Sequence, residues 1–223
     1  MLTDYTAPFA LWIVVRPVYL CDGFCVVEPA WAKGGGQGGL AVFVSRLHAS
    51  IYATLRNTVR FPDVPGRTEK WRCIALHTFD LRSYMLNKDG RLNCAVSFGF
   101  TCDGAGALSC VNGVPRLRFI ELMCEMPEAG QDVVFSFSRW VFAFMHDQWE
   151  RLGAYGYAQS IDRMAVMDDR TFAGALAVAM QAVSVTHKAP EGDYWTMYDA
   201  DAAHWISTPA QSLAGIWATP TIH

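Results

Sequence analysis

The polar and apolar positions of this chain change period near residue 138. Before it, alternating or unbroken apolar runs at 10–19, 24–28, 40–44, 72–77, 91–99 and 116–125 predict strands, because an extended chain turns successive side chains to opposite faces. The stretches "CDG", "KDG" and "VNGVP" and a run of glycines separate them, which is the chemistry of turns. Two of these strands pass directly into helical patterns. "AVFVS" leads into "RLHASIYATLRN" with Ser45 placed to cap the helix, and "CIALHT" leads into "FDLRSYML" with Thr78 or Asp80 in that role. Two copies of strand-then-helix are too few to make a repeat.

After residue 138 the period lengthens. "SRWVFAFMHDQWERLG" opens on Ser138, brings Val141, Phe144, Met145 and Leu152 near one stripe and stops at Gly153, predicting an amphipathic helix. "DDRTFAGALAVAMQAV" opens on two acids and is nearly all small or apolar, predicting a deeply buried helix. Between them "YAQSIDRMAVM" reads as a further strand. Beyond Ser184 turn residues and aromatics follow one another with no clean period. The expectation is a core domain over 1–183 with an irregular, aromatic-rich tail over 184–223 docked on it. Strands first and helices later predict one α+β domain, a mostly antiparallel sheet with helices packed on one face; an α/β three-layer arrangement is the alternative.

Composition narrows this picture. With 52% hydrophobic and 17% charged residues in 223, the chain has enough apolar surface for one sizeable core and no long polar linker to divide it. The net charge of −3 is uneven: residues 1–111 carry 11 basic and 8 acidic side chains, residues 112–223 carry 7 and 13. Neither half has a clustered Lys/Arg stripe, which argues against nucleic-acid binding. "APFALWIVV" at 7–15 resembles a short signal core, but Asp4 precedes it, no Lys or Arg does, and Arg16 follows, so it reads as a strand. "FAGALAVAM" is far below the roughly 18 residues of a spanning helix, so no membrane partner is expected. Seven scattered cysteines, at 21, 25, 73, 94, 102, 110 and 124, read as free thiols of a soluble cytoplasmic protein. Arg outnumbers Lys 14 to 4, a bias compatible with a GC-rich bacterial genome.

The conspicuous chemical spelling is the glycine run. Gly34, Gly36 and Gly39 match G-x-G-x-x-G, yet "LAVFV" follows where a dinucleotide fingerprint needs a helix to hold the pyrophosphate. A Walker A loop needs Lys and Ser/Thr after its last Gly, and Leu40 and Ala41 stand there. Gly34, Gly35, Gly36, Gly38 and Gly39 therefore read as a flexible connection between a strand ending near Trp31 and one beginning at Leu40.

No cofactor or metal is implied. Cys21 and Cys25 lack a second pair downstream, Cys102 and Cys110 stand too far apart for one knuckle, and His146 with Glu150 lacks the second His of H-E-x-x-H. "FTCDGAGALSC" puts Cys102 beside a glycine-rich loop, but no protease signature surrounds it and no G-x-S-x-G elbow occurs. Asp168 with Asp169, and Asp199 with Asp201, read as capping and turn residues.

What remains is the aromatic, acidic tail. Tyr194, Trp195, Tyr198 and Trp205, with Asp199 and Asp201 among them, have the residue types that anchor interfaces, and their acids favour a basic partner protein. The competing reading is that these rings pin the tail to the core. The sequence thus points to a non-enzymatic protein-interaction module, of the kind that includes bacterial immunity or inhibitor proteins, chaperones and adaptors. The alternatives are a small enzyme using Cys102 with His77, His146 or His204, and a small-ligand sensor with a pocket beneath residues 33–39.

Overall fold

The computed structural model describes residues 5–6, 9–20, 24–33, 38–58, 69–86, 90–125, 135–136, 139–188 and 193–210. In chain order, β1 (Tyr5–Thr6), β2 (Trp12–Tyr19), β3 (Cys25–Pro29), β4 (Trp31–Ala32) and β5 (Gly39–Phe43) precede α1 (Arg46–Thr58). Then come β6 (Arg72–Ala75), a 3-10 turn (Leu76–Thr78), α2 (Leu81–Leu86), β7 (Arg91–Cys102), β8 (Leu108–Val111), β9 (Val114–Pro115), β10 (Leu117–Glu125) and β11 (Phe135–Ser136). The rest is α3 (Arg139–Arg151), α4 (Tyr157–Val166), α5 (Asp169–Gln181), β12 (Val185–Thr186), β13 (Tyr194–Asp199) and β14 (His204–Pro209). The protein is an α+β domain built on a mostly antiparallel sheet.

The long strand β7 organises the sheet. Along one edge it pairs antiparallel with β10, from Leu117 opposite Phe100 to Glu125 opposite Arg91. Along the other it pairs parallel with β5, and β13 takes over that edge where β5 ends, placing Thr196 opposite Phe100. β5, with all five residues buried, is the continuous apolar type expected of a strand covered on both faces. β2 pairs with β5 through Trp12 and Ile13 and with β3 along Val15–Tyr19 on that same edge, while β6 pairs with Trp12–Val15 along its other edge; β3 has no second strand partner among the described residues.

Alternation sorts the core into two halves. Leu40, Val42, Val44, Cys94, Val96 and Phe98 face α2 and α3, through Met85, Met145 and Trp149 among others. Ala41, Phe43 and Ala95 face α1 and α5, through Leu47, Ile51 and Phe172. Helices thus pack on both faces of the sheet rather than on one, α1 and α5 on one side and α2 and α3 on the other.

Three elements differ from their sequence reading. Residues 157–167, expected as a strand, form α4, with Tyr157, Ser160, Ile161 and Met164 buried at the i, i+3, i+4, i+7 spacing of one helix face. The helix expected to be deeply buried, α5, buries only Phe172 and Ala179 and exposes Val178, because alanines favour a helix without demanding cover. The tail expected to be irregular contains the hairpin of β13 and β14, paired from Tyr194 opposite Pro209 to Asp199 opposite His204.

The capping expectations find their residues. Ser45 Oγ accepts from His48 N at 3.3 Å, Asp80 Oδ1 from Ser83 N at 3.0 Å, and Asp168 Oδ1 from Arg170 N and Thr171 N. No helix among the described residues is long and apolar enough to cross a membrane.

Candidate functional site

The tail residues proposed as partner anchors occupy the sheet. On β13, Trp195 and Met197 point into the α2/α3 half of the core while Tyr198 points into the α1/α5 half. Trp195 and Tyr198 are 1% and 2% exposed, so neither ring is accessible to a partner. Tyr194 and Trp205 are half-buried; the Trp205 indole meets Phe100 and Tyr198 edge-on and donates Nε1–H to Ala179 O at 3.3 Å. The acids serve locally: Asp199 Oδ1 accepts from Asp201 N and Ala202 N, closing the β13–β14 turn, and Asp201 is ion-paired with Arg163. Of the glycine stretch, Gly38 and Gly39 are buried, with Gly38 at φ +71°. Gly34, Gly35 and Gly36 lie outside the described residues.

The suspected nucleophile and bases do not meet. Cys102 is fully buried, and burial pushes its thiol up to about 12, far from the thiolate a nucleophile requires. His77, His146 and His204 are exposed; His146 Nδ1 lies 3.4 Å from Glu150, and His204 Nδ1 lies 3.1 Å from Ala202 O. No described hydrogen bond joins a histidine to a cysteine. The free thiols range from exposed Cys25 to buried Cys94, Cys102 and Cys110, and no group of three potential metal ligands occurs among the described residues.

The accessible chemistry lies elsewhere, on the β2–β3 hairpin. A strand with one covered face alternates buried and exposed positions, yet Cys25, Val26, Val27 and Glu28 are all exposed. Both faces of β3 are therefore open. Leu20, Phe24, Val26 and Val27 are 46%, 69%, 45% and 44% exposed, forming an apolar tip held by the Leu20 N to Phe24 O hydrogen bond at 2.8 Å. At its base, Arg16 Nε donates to Glu28 Oε2 at 2.6 Å across the strand pair, fixing the register. The pattern "CVVE" carried this signal in the sequence: adjacent apolar residues on a short edge strand cannot share one buried face.

A second feature is a cavity of about 550 Å³ between β3, α1 and the β8–β9 turn, bordered by Ala32 and Lys33. Its floor includes Tyr52 and Trp71 and its walls Pro29, Val114 and Leu117. The hairpin is local in the sequence, within residues 16–28, whereas the cavity gathers residues from Glu28 to Leu117 and touches the expected pocket beneath residues 33–39 at Lys33. No family model, curated protein or solved structure matches the chain.

Proposed function

We propose that the chain is a protein-interaction module that docks through the β2–β3 hairpin, taking an extended apolar segment of its partner along β3. The observation that carries this reading is the run of four exposed residues on β3, a strand paired only with β2 among the described residues, which carries Val26 and Val27 into solvent. An open strand edge offers main-chain donors and acceptors to another chain, and apolar side chains beside it supply the desolvation energy. Soluble folds ordinarily blunt such edges with charge, and between Phe24 and Val27 none is present.

The aromatic tail supports the reading only indirectly, as scaffold: with its rings in the core and Asp201 held by Arg163, it leaves the hairpin as the more accessible apolar surface. The test replaces Val26 and Val27 with Lys together and compares captures by wild-type and variant protein from the cells of origin. A partner retained by the wild type and lost from the variant, at equal melting temperature, supports hairpin docking. Equal retention by both proteins overturns it.

A further inference from the structure

We propose that the cavity between β3, α1 and the β8–β9 turn binds a small organic anion with an apolar body, held through Arg56 and Arg116. This site adjoins the hairpin at Glu28 and Pro29 but does not rest on hairpin docking.

Three cations reach the cavity, Lys33, Arg56 and Arg116, and its one described anion, Glu28, is already engaged by Arg16. Elsewhere in the fold Arg46, Arg118, Arg151 and Arg163 each have a carboxylate beside them. No described carboxylate lies within ion-pair distance of Arg56 or Arg116. The cavity therefore has an excess of positive charge that a bound anion would neutralise.

Arg56 is held rather than mobile. Its guanidinium stacks 3.7 Å from the Trp71 ring centroid, and Arg16 lies 4.6 Å from the same ring. Trp71 is fixed in turn by Asn57, whose Nδ2–H donates to Trp71 O at 2.9 Å while Trp71 N–H donates to Asn57 Oδ1 at 2.8 Å. Arg56 Nε is buried without a hydrogen-bond partner, so part of this charge has given up water with nothing in return. Burial pulls the Arg56 guanidinium below its usual range, and a hydrogen bond with Tyr52 and the nearby Glu28 charge offset this only in part. Such a pre-positioned, partly desolvated guanidinium is costly alone and favourable to a carboxylate or phosphate.

The remaining walls set the body of the ligand. Pro29, Val114, Pro115 and Leu117 present apolar surface, and the size of the cavity falls within the usual range of small-molecule sites. An acid group at Arg56 and Arg116 leaves the apolar wall to a flat ring or short hydrocarbon.

The experiment titrates the full chain by calorimetry with 2-naphthoate, naphthyl phosphate and the uncharged 2-naphthamide. Either anion binding at least tenfold tighter than the amide supports the proposal, and the better of the two identifies carboxylate or phosphate. Arg116→Gln, at an exposed wall position, and Val114→Trp, which fills the cavity without altering charge, are each expected to weaken that anion at least tenfold with the melting temperature kept. Arg56→Gln should do the same if it folds. Equal binding of anion and amide, no binding of any probe, or anion binding unaltered in both Arg116→Gln and Val114→Trp overturns the proposal. Because neither of these variants touches Val26 or Val27, failure here is distinguishable from failure of hairpin docking.

Discussion

The backbone N–H of Tyr198 donates to His48 Nε2 at 3.2 Å, joining β13 to the first turn of α1 across 150 positions of sequence. An Nε2 that accepts carries no proton, so the imidazole is the neutral Nδ1–H tautomer, and Tyr157 Oη lies 3.2 Å from the same nitrogen. His48 is fully buried, and burial lowers its pKa from 6.5 to about 4. The unfolded chain binds this proton below about 6.5 while the folded chain excludes it until about 4. Stability from His48 is therefore complete above pH 6.5 and declines as pH falls towards 4, by on the order of 3 kcal/mol in all. Urea unfolding at pH 7.5, 6, 5 and 4.5 is expected to show this slope in the wild type and a flatter one in His48→Gln. Equal slopes would place the acid sensitivity in other groups.

Glycine positions divide by what a methyl group would meet. A Cβ on Gly39 would lie 2.4 Å from Asn93 O and 2.9 Å from Cys94 N, both backbone atoms of β7. Gly39→Ala is expected to cost about 1–3 kcal/mol or more by forcing β5 away from β7. A Cβ on Gly174 in α5 meets nothing within 4 Å, so Gly174→Ala is expected to stabilise by about 0.5–1 kcal/mol through helix propensity. Denaturant midpoints of the two variants should move in opposite directions; a shared direction would contradict the packing described.

What the sequence made legible was local. Ser45 and Asp80 cap helices through bonds to backbone three residues away, and continuous apolarity at 40–43 marks a strand buried on both faces. Residues 157–166 form a helix because Tyr157, Ile161 and Met164 stand at i, i+4 and i+7, a stripe that the exposed Val166 blurs in the sequence. The β13 hairpin is hidden in the sequence for a different reason. Its residues are buried on both faces, Trp195 and Met197 on one and Tyr198 on the other, so no polar alternation marks it. The cavity was invisible because Glu28, Arg56 and Arg116 meet only through the packing of α1 against the sheet and the β8–β9 turn.

Thiol reactivity should follow burial. Cys25 is exposed, whereas Cys94, Cys102 and Cys110 are buried; a hydrogen bond with Cys124 on the neighbouring strand, and then burial, raise the Cys94 thiol, and burial raises those of Cys102 and Cys110. Titration of the native protein with an aromatic disulfide is expected to give a fast phase that loses one equivalent in Cys25→Ser. The buried thiols should react only on addition of denaturant. Rapid native reaction of Cys102 would instead bring back a nucleophilic role.

Trp195 and Val26 make the sharpest contrast between scaffold and surface. Trp195 packs its indole 5.3 Å from the Phe98 ring and covers Gly99, where a Cβ would lie 2.7 Å from its Cε3. Truncation to Ala leaves a large hole in the α2/α3 half of the core and is expected to cost about 3–5 kcal/mol. Val26 is exposed on β3, so Val26→Lys is expected to shift stability by no more than about 0.5 kcal/mol. Thermal melts of the two variants decide the matter directly. A Trp195→Ala protein that melts with the wild type would return the ring to the surface and restore the tail as the docking site, whereas a Val26→Lys protein that unfolds would make the hairpin part of the core.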